Sequence, residues 1–226
     1  RPSRMFTVLR ECGALARLLP EVEALFGVPQ RADYHPEIDT GVHTLMVVDE
    51  SAYRNFVLPV RFAALTHDLG KATTPADILP RHFGHEARSV DLVAGLCERL
   101  RVPHDSRDLA LLAARYHGDI HRAAELRPAT LVTLLERADA LRRPERFTWL
   151  LQACQCDYNG RQGWADRPYA SAGLLLAALA AVRTVDAGAI AATCADRALL
   201  PGRIHAARTA AVRQLSDEAG DEEQKG

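Results

Sequence analysis

His67 and Asp68 stand side by side near the end of an apolar helical run, Val57 to Leu69. They offer two different metal ligands from adjacent backbone positions. Neighbours on a helix point about 100° apart, so both side chains reach one cation only if it sits just off the helix end. Gly70 is read as the left-handed stop of the run, and Lys71 places a cation where a bound anion could be met. His43 shares a helix face with Met46 and Val47, three and four residues on, and is expected to point inward. Asp139 follows Leu135 by one helical turn on the apolar stripe Leu131, Leu134, Leu135. A carboxylate facing inward is costly unless it is paired or metal-bound. Asp139 therefore has two readings: a metal ligand, or a salt bridge with Arg142 or Arg143.

These residues need helices to hold them, and nearly every segment has helical periodicity. Apolar residues recur at helical spacing over Phe6–Leu19, Thr40–Phe56, Val57–Leu69 and His85–Leu100, and again from Asp105 to His117. Further helices are expected over Ala129–Leu141, Pro144–Cys156, Leu174–Val185, Ala187–Cys194 and Arg203–Leu215. The stretch from Lys71 to Gly84 is broken by Thr73, Thr74, Pro75 and Pro80, and a connector of that length is usually functional or mobile. No alternating β pattern, internal repeat or glycine-rich phosphate loop occurs. The fold class expected is all-α.

The 226 residues are 48% hydrophobic with a formal net charge of −1. That suffices for a filled core and argues against tight nonspecific nucleic-acid binding over the whole surface. No apolar run reaches the ~18 residues of a membrane span, so no membrane association is expected. Five cysteines, Cys12, Cys97, Cys154, Cys156 and Cys194, lie mostly within helical patterns and read as reduced core thiols of a cytoplasmic protein. Near the C-terminus arginines outnumber acids. Arg203 and Arg208 there are either a solvated helix face or a strip that contacts tRNA.

A His, a His-Asp doublet and a distant Asp, all on helices, resemble the HD superfamily of metal-dependent phosphohydrolases. From about Leu15 to Arg161 the chain is similar to the C-terminal HD domain of bacterial CCA-adding tRNA nucleotidyltransferases. The stretches that carry the likeness are Gly13 to Glu21, Asp39-Thr40-Gly41-Val42-His43-Thr44, His67-Asp68-Leu69-Gly70-Lys71-Ala72, Gly84-His85-Glu86-Ala87-Arg88-Ser89 and Arg137-Ala138-Asp139-Ala140. The resemblance implies an HD-domain helical bundle with additional C-terminal helices. It implies a metal held by His43, His67, Asp68 and Asp139, and hydrolysis of 2′,3′-cyclic nucleotides, 2′-nucleotides and simple phosphate esters. On this reading residues 1–28 are an N-terminal helical segment, 29–165 the HD domain, 166–215 a C-terminal helical region and 216–226 a disordered acidic tail. The family's strand-rich nucleotide-adding head has no counterpart in these residues, so CCA addition is not expected of this chain.

Two imidazoles and two carboxylates favour an open octahedral ion, Ni²⁺ or Mn²⁺ first and Mg²⁺ or Co²⁺ next, over closed tetrahedral Zn²⁺. Such an ion acidifies water and neutralises phosphoryl charge. Asp68 and His67 stand at the chemistry, with Asp68 able to orient the attacking water or accept its proton. Lys71 either holds phosphate oxygens or is a solvated cation that complements the helix dipole. Arg88 is either a phosphate fork or a salt-bridge partner of Glu86 or Asp91. His85 and His117 either line the pocket, as a second metal site or against the leaving group, or are structural. His35, His82, His104, His121 and His205 receive no role, and Asp157 is expected to bridge to Arg161. Partners implied are a tRNA 3′ end and small nucleotides. The apolar stretch Leu174–Val182 suggests a homodimer face. The competing reading is a tRNA-docking and dimerisation module with a vestigial site.

Overall fold

The computed structural model describes residues 1–223, with side chains through Leu215. Twelve α-helices and no strand occur among the described residues, and an isolated bridge joins Pro29 and Asp39. The helices are α1 (Ser3–Glu11), α2 (Leu15–Leu18), α3 (Pro20–Glu23), α4 (Thr40–Tyr53), α5 (Leu58–Thr66) and α6 (His85–Leu100). They continue with α7 (His104–His121), α8 (Pro128–Arg137), α9 (Pro144–Asn159), α10 (Ala170–Arg183), α11 (Ala187–Thr193) and α12 (Leu200–Glu223). The chain divides into two compact units, residues 1–121 with 148–169, and residues 122–147 with 170–226.

In the first unit α5 and α6 both pack on α7, and α4 packs on α5. Small residues permit the close approach. Ala63 and Ala64 of α5 and Ala110, Ala113 and Ala114 of α7 are all buried, flanked by Val60, Leu109 and Ile120. Each fully buried aliphatic side chain of this kind contributes roughly 1.5–3 kcal/mol. Asp39 starts α4 by accepting from the Val42 backbone N–H at 2.9 Å, and its second oxygen accepts from the Gly27 N–H at 2.7 Å. One carboxylate thus caps the helix that carries His43 and ties it to the preceding turn.

Several boundaries differ from the sequence expectation. The first long helix stops at Glu11, where Gly13 turns the backbone to φ +74°. Helix α5 ends at Thr66 with His67 as its C-cap, and residues Leu69–Thr73 form a tight 3₁₀ turn. Gly70 lies inside that turn and is not left-handed; its role is clearance. A Cβ there would sit 2.2 Å from the His85 carbonyl and 2.5 Å from the Ser89 nitrogen. The Gly70 N–H also donates to Ser89 Oγ at 2.8 Å, which seats the turn directly on α6.

In the second unit α8, α10 and α12 pack together. Leu131, Val132, Leu134 and Leu135 of α8, Leu175, Ala178, Leu179 and Val182 of α10 and Val212 of α12 are buried where these helices pack. Of the stretch expected to form a dimer face, Leu175, Ala178, Leu179 and Val182 are buried within the chain, while Leu176 is 43% exposed. Arg208 donates to Glu136 Oε1 at 2.7 Å and His205 Nδ1 lies 3.0 Å from Glu136 Oε2. Arg208 accordingly pins α12 to α8 and does not belong to a free basic strip, while Arg203 stays exposed. The acidic tail expected to be disordered is helical through Glu223, and residues 224–226 lie outside the described residues. No single helix among the described residues is long and apolar enough to cross a membrane.

The two glycines of this region separate clearance from propensity. Gly70→Ala is expected to lower stability by about 1–3 kcal/mol, because backbone on both sides must move. Gly95→Ala on α6, where a Cβ meets nothing within 4 Å, is expected to raise it by about 1 kcal/mol. Urea unfolding of both variants checks the pair.

Candidate metal centre

The first unit gathers its histidines around two buried aspartates. His43 Nε2 lies 2.9 Å from Asp157 Oδ1, and His67 Nε2 lies 3.7 Å from the same oxygen. Asp68 continues the group from His67, with Oδ2 3.2 Å from His67 Nε2. Its other oxygen, Oδ1, is 3.3 Å from His85 Nε2 and 3.4 Å from His117 Nε2. Around these aspartates lie two sets of donor atoms, His43–His67–Asp157 and Asp68–His85–His117, with Asp68 adjoining His67 of the first; a third set, His35–Glu37–His43, shares His43, and in each the ligand atoms lie within 4.8 Å of one another. The six residues around the aspartates are buried or nearly so, His85 being the most exposed with 15% of its side chain accessible.

The chemistry of the donor set follows from where the ring protons must be. His67 Nδ1 lies 2.9 Å from the Ala64 carbonyl, His85 Nδ1 2.7 Å from the His82 carbonyl and His117 Nδ1 2.9 Å from the Ala113 carbonyl. A carbonyl only accepts, so each of these Nδ1 atoms carries the hydrogen. A neutral imidazole then has only an electron pair at Nε2, and each of the three Nε2 atoms faces carboxylate oxygens. His85 Nε2 and His117 Nε2 also face one another at 3.2 Å. Electron pairs so opposed require a proton or a cation between them. His67 Nε2 and Asp68 Oδ1 are buried with no hydrogen-bond partner among the described residues. The residues present fit a divalent cation.

Protons play that part when no ion does. Burial alone would lower the pKa of His67, but Asp68 and Asp157 outweigh it and hold it up to about 10. Burial would raise both aspartates. Lys71 and His67 overcome it and keep Asp68 ionised, while His67 and His121 do the same for Asp157, both well below the usual carboxylate range.

The surrounding residues keep the aspartates in place. Lys71 is buried, with Nζ 2.7 Å from Asp68 Oδ2 and donating to Gln30 Oε1 at 2.9 Å. The reading of Lys71 as a solvated cation is thus corrected: the tight turn folds it back onto Asp68. Asp157 Oδ2 meets His121 Nε2 at 2.5 Å, and His121 Nδ1 meets the Tyr169 hydroxyl at 3.0 Å. Burial lowers the pKa of His121, so a neutral ring donating from Nε2 to Asp157 satisfies both contacts. Arg88 does not pair with Glu86 or Asp91 among the described residues. Its guanidinium donates to the Gly70 and Phe83 carbonyls and to the Thr73 and Thr74 hydroxyls, stitching the connector shut.

Asp139 does not join these groups. Helix α8 ends at Arg137, so the register that would turn Asp139 inward is not maintained, and its backbone is left-handed at φ +56°. Its carboxylate accepts from Arg142 Nε at 2.7 Å and lies 3.5 Å from Arg146 Nη2. Arg142, then the neighbouring arginines, lower its pKa. Asp139 makes the salt bridge of its second reading within the second unit, and the carboxylate beside His43 and His67 in the first unit is Asp157. Nor does Asp157 bridge to Arg161, whose guanidinium stacks 4.9 Å over the Trp164 ring. Asp157 had a sequence signal: Phe147, Leu150 and Cys154 are buried on α9, and Asp157 continues that stripe at helical spacing. Glu37 and His121 carried no comparable signal.

An HD domain model matches residues 40–143. That match spans just under half of the chain, and it is in those residues that the chain is similar to an HD domain. It is 70% identical over 222 residues to the multifunctional CCA protein of Dechloromonas aromatica, an alignment covering 98% of this chain and 54% of that protein. It is 64% identical over 215 residues to the multifunctional CCA protein of Burkholderia mallei and 63% identical to that of Burkholderia ambifaria, each alignment covering 95% of this chain and 52% of the relative. The chain thus spans about half the length of the curated relatives it matches. No solved structure matches it significantly.

Metal entry must displace the proton on His67. Apparent affinity for Mn²⁺ is therefore expected to rise between pH 6 and 9, by up to about tenfold per unit where one proton is released. Without metal the raised His67 pKa stabilises the fold fully below pH 6.5, and that contribution fades as pH climbs towards about 10. Melting temperatures with EDTA should fall over that interval more than those with Mn²⁺, and calorimetric titration in two buffers counts the proton released.

Proposed function

We propose that this chain is a metal-dependent phosphohydrolase that cleaves 2′,3′-cyclic phosphates, 2′-nucleotides and simple phosphate monoesters. The observation that carries the reading is the convergence of His43, His67 and Asp157 with Asp68, His85 and His117 in one buried group. The likeness to multifunctional CCA proteins supports placing the activity at tRNA 3′ ends, where clearing a cyclic or 2′-phosphate would prepare an end for repair.

His43, His67, Asp68 and Asp157 would hold one divalent ion, with Ni²⁺ or Mn²⁺ favoured by the imidazoles and Mg²⁺ or Co²⁺ as alternatives. His85 and His117, sharing Asp68, would hold a second. Bound there, such ions would supply Lewis acidity and acidify a water for attack. Asp68, ionised through its contact with Lys71, orients that water and accepts its proton. Lys71 holds Asp68 in register and presents positive charge towards the phosphoryl group. The buried walls exclude bulk water, which strengthens each of these interactions.

Hydrolysis of 2′,3′-cyclic AMP and p-nitrophenyl phosphate by the full chain with Ni²⁺ or Mn²⁺ tests the reading. EDTA, His67→Ala, Asp68→Ala and Asp157→Ala should each reduce kcat/KM by about 10²-fold or more, as loss of a ligand or a transition-state contact does. Asp139→Ala should stay within a few fold of wild type. Turnover lost in Asp139→Ala but kept in Asp157→Ala would refute the ligand set. Absence of metal-dependent turnover from the wild type would favour a docking module with an inactive centre.

A further inference from the structure

The loop before α4 carries a second buried carboxylate that the proposed chemistry does not use. Glu37 has only 2% of its side chain exposed, although it lies in the polar connector between Gln30 and Asp39. Its Oε1 is 2.7 Å from His43 Nδ1, the ring nitrogen opposite the one that faces Asp157, and 3.2 Å from His35 Nδ1. Its Oε2 accepts from the backbone N–H of Gln162 at 3.2 Å. Gln162 follows the helix that carries Asp157. One carboxylate therefore contacts the helix of one proposed ligand and the segment that follows the helix of another.

A second observation concerns the backbone. Ile38 adopts φ +59°, a left-handed conformation that a β-branched residue avoids. Such strain costs on the order of 1–3 kcal/mol and persists only where surrounding structure demands it. Ile38 is itself 48% exposed, so its side chain gains little there. Its backbone is held at both ends instead: its N–H donates to the His35 carbonyl at 2.9 Å, and its carbonyl accepts from Gln30 N–H at 2.8 Å. The strained turn directs Glu37 inward.

We infer that Glu37 is a positioning residue for the metal centre, holding the hydrogen of His43 on Nδ1 so that the Nε2 electron pair is offered to the cation. The inference rests on the reading of His43 as a ligand. The Nδ1 contact is short but out of line for a hydrogen bond. Contacts of this kind tighten when the site is loaded. A carboxylate behind a ligating histidine fixes the ring tautomer and orientation and raises its basicity, and losing one costs about 10–100-fold in metal affinity. His35 supports the carboxylate from the other side, its Nδ1 3.2 Å from the same Oε1.

The test uses the full chain with metal alone. Calorimetric titration with Mn²⁺ should show affinity falling about 10–100-fold in Glu37→Ala, with most of it recovered in Glu37→Gln, whose amide oxygen still accepts from Nδ1–H. Zn²⁺ serves as a diamagnetic probe for nitrogen-15 spectra of the imidazoles. The loaded wild type and Glu37→Gln should show a slowly exchanging proton on His43 Nδ1, and Glu37→Ala should lose it. If Glu37→Ala does not fold, Glu37→Gln against wild type carries the proton readout and a Glu37→Leu variant the affinity. Wild-type affinity in both Glu37→Ala and Glu37→Leu would overturn the inference while leaving His43 a ligand. No metal binding by the wild type would overturn both.

Discussion

Three backbone carbonyls set the terms for this molecule. By taking the Nδ1 hydrogens of His67, His85 and His117 they turn three Nε2 electron pairs towards Asp68 and Asp157. Negative charge and electron pairs so concentrated, away from water, are unstable unless something positive lies among them. The helices supply those carbonyls as a by-product of their own geometry. His117 addresses the carbonyl four residues back on α7, and His67 the one three residues back on α5. Rotating either ring would forfeit a buried hydrogen bond. The site is therefore built to hold charge before any ligand arrives.

Packing makes the convergence possible. Alanine-lined faces let α5 approach α7 closely, and the absence of a Cβ at Gly70 lets the turn after Asp68 rest on α6. That turn folds Lys71 back onto Asp68. Arg88 then closes the connector by donating to its carbonyls and hydroxyls. The capping contacts of Asp39, the buried carboxylate of Glu37 and the bond from Lys71 to Gln30 fasten the loop that precedes His43. The second unit holds itself together through the leucine faces of α8 and α10 and the pairing of Glu136 with His205 and Arg208.

The helical class, His43 and the His67–Asp68 doublet were legible in the sequence because each follows from local periodicity. The helix end re-aims Asp139. Its inward direction presumed four more residues of helix, but α8 ends at Arg137 and the carboxylate swings to Arg142. The same reasoning applied to α9 points to Asp157, since that helix runs to Asn159 and keeps its register. Ending the helix at Cys156 left Asp157 in a loop and invited a bridge to Arg161. Lys71 and Arg88 could not be placed because their partners, Asp68 and the connector carbonyls, depend on a 3₁₀ turn that periodicity does not announce. Glu37 and His121 were invisible for a related reason: the contacts that tie them to the site, with His43, Gln162 and Asp157, span 6 to 125 positions along the chain.

Anomalous diffraction from crystals grown with Mn²⁺ and without chelator examines the account at its root. The account predicts a peak bonded to Nε2 of His43 and His67 and to carboxylate oxygens of Asp68 and Asp157, at about 2.0–2.3 Å. A peak bonded to Asp139, or no peak among the buried histidines at saturating metal, would contradict it.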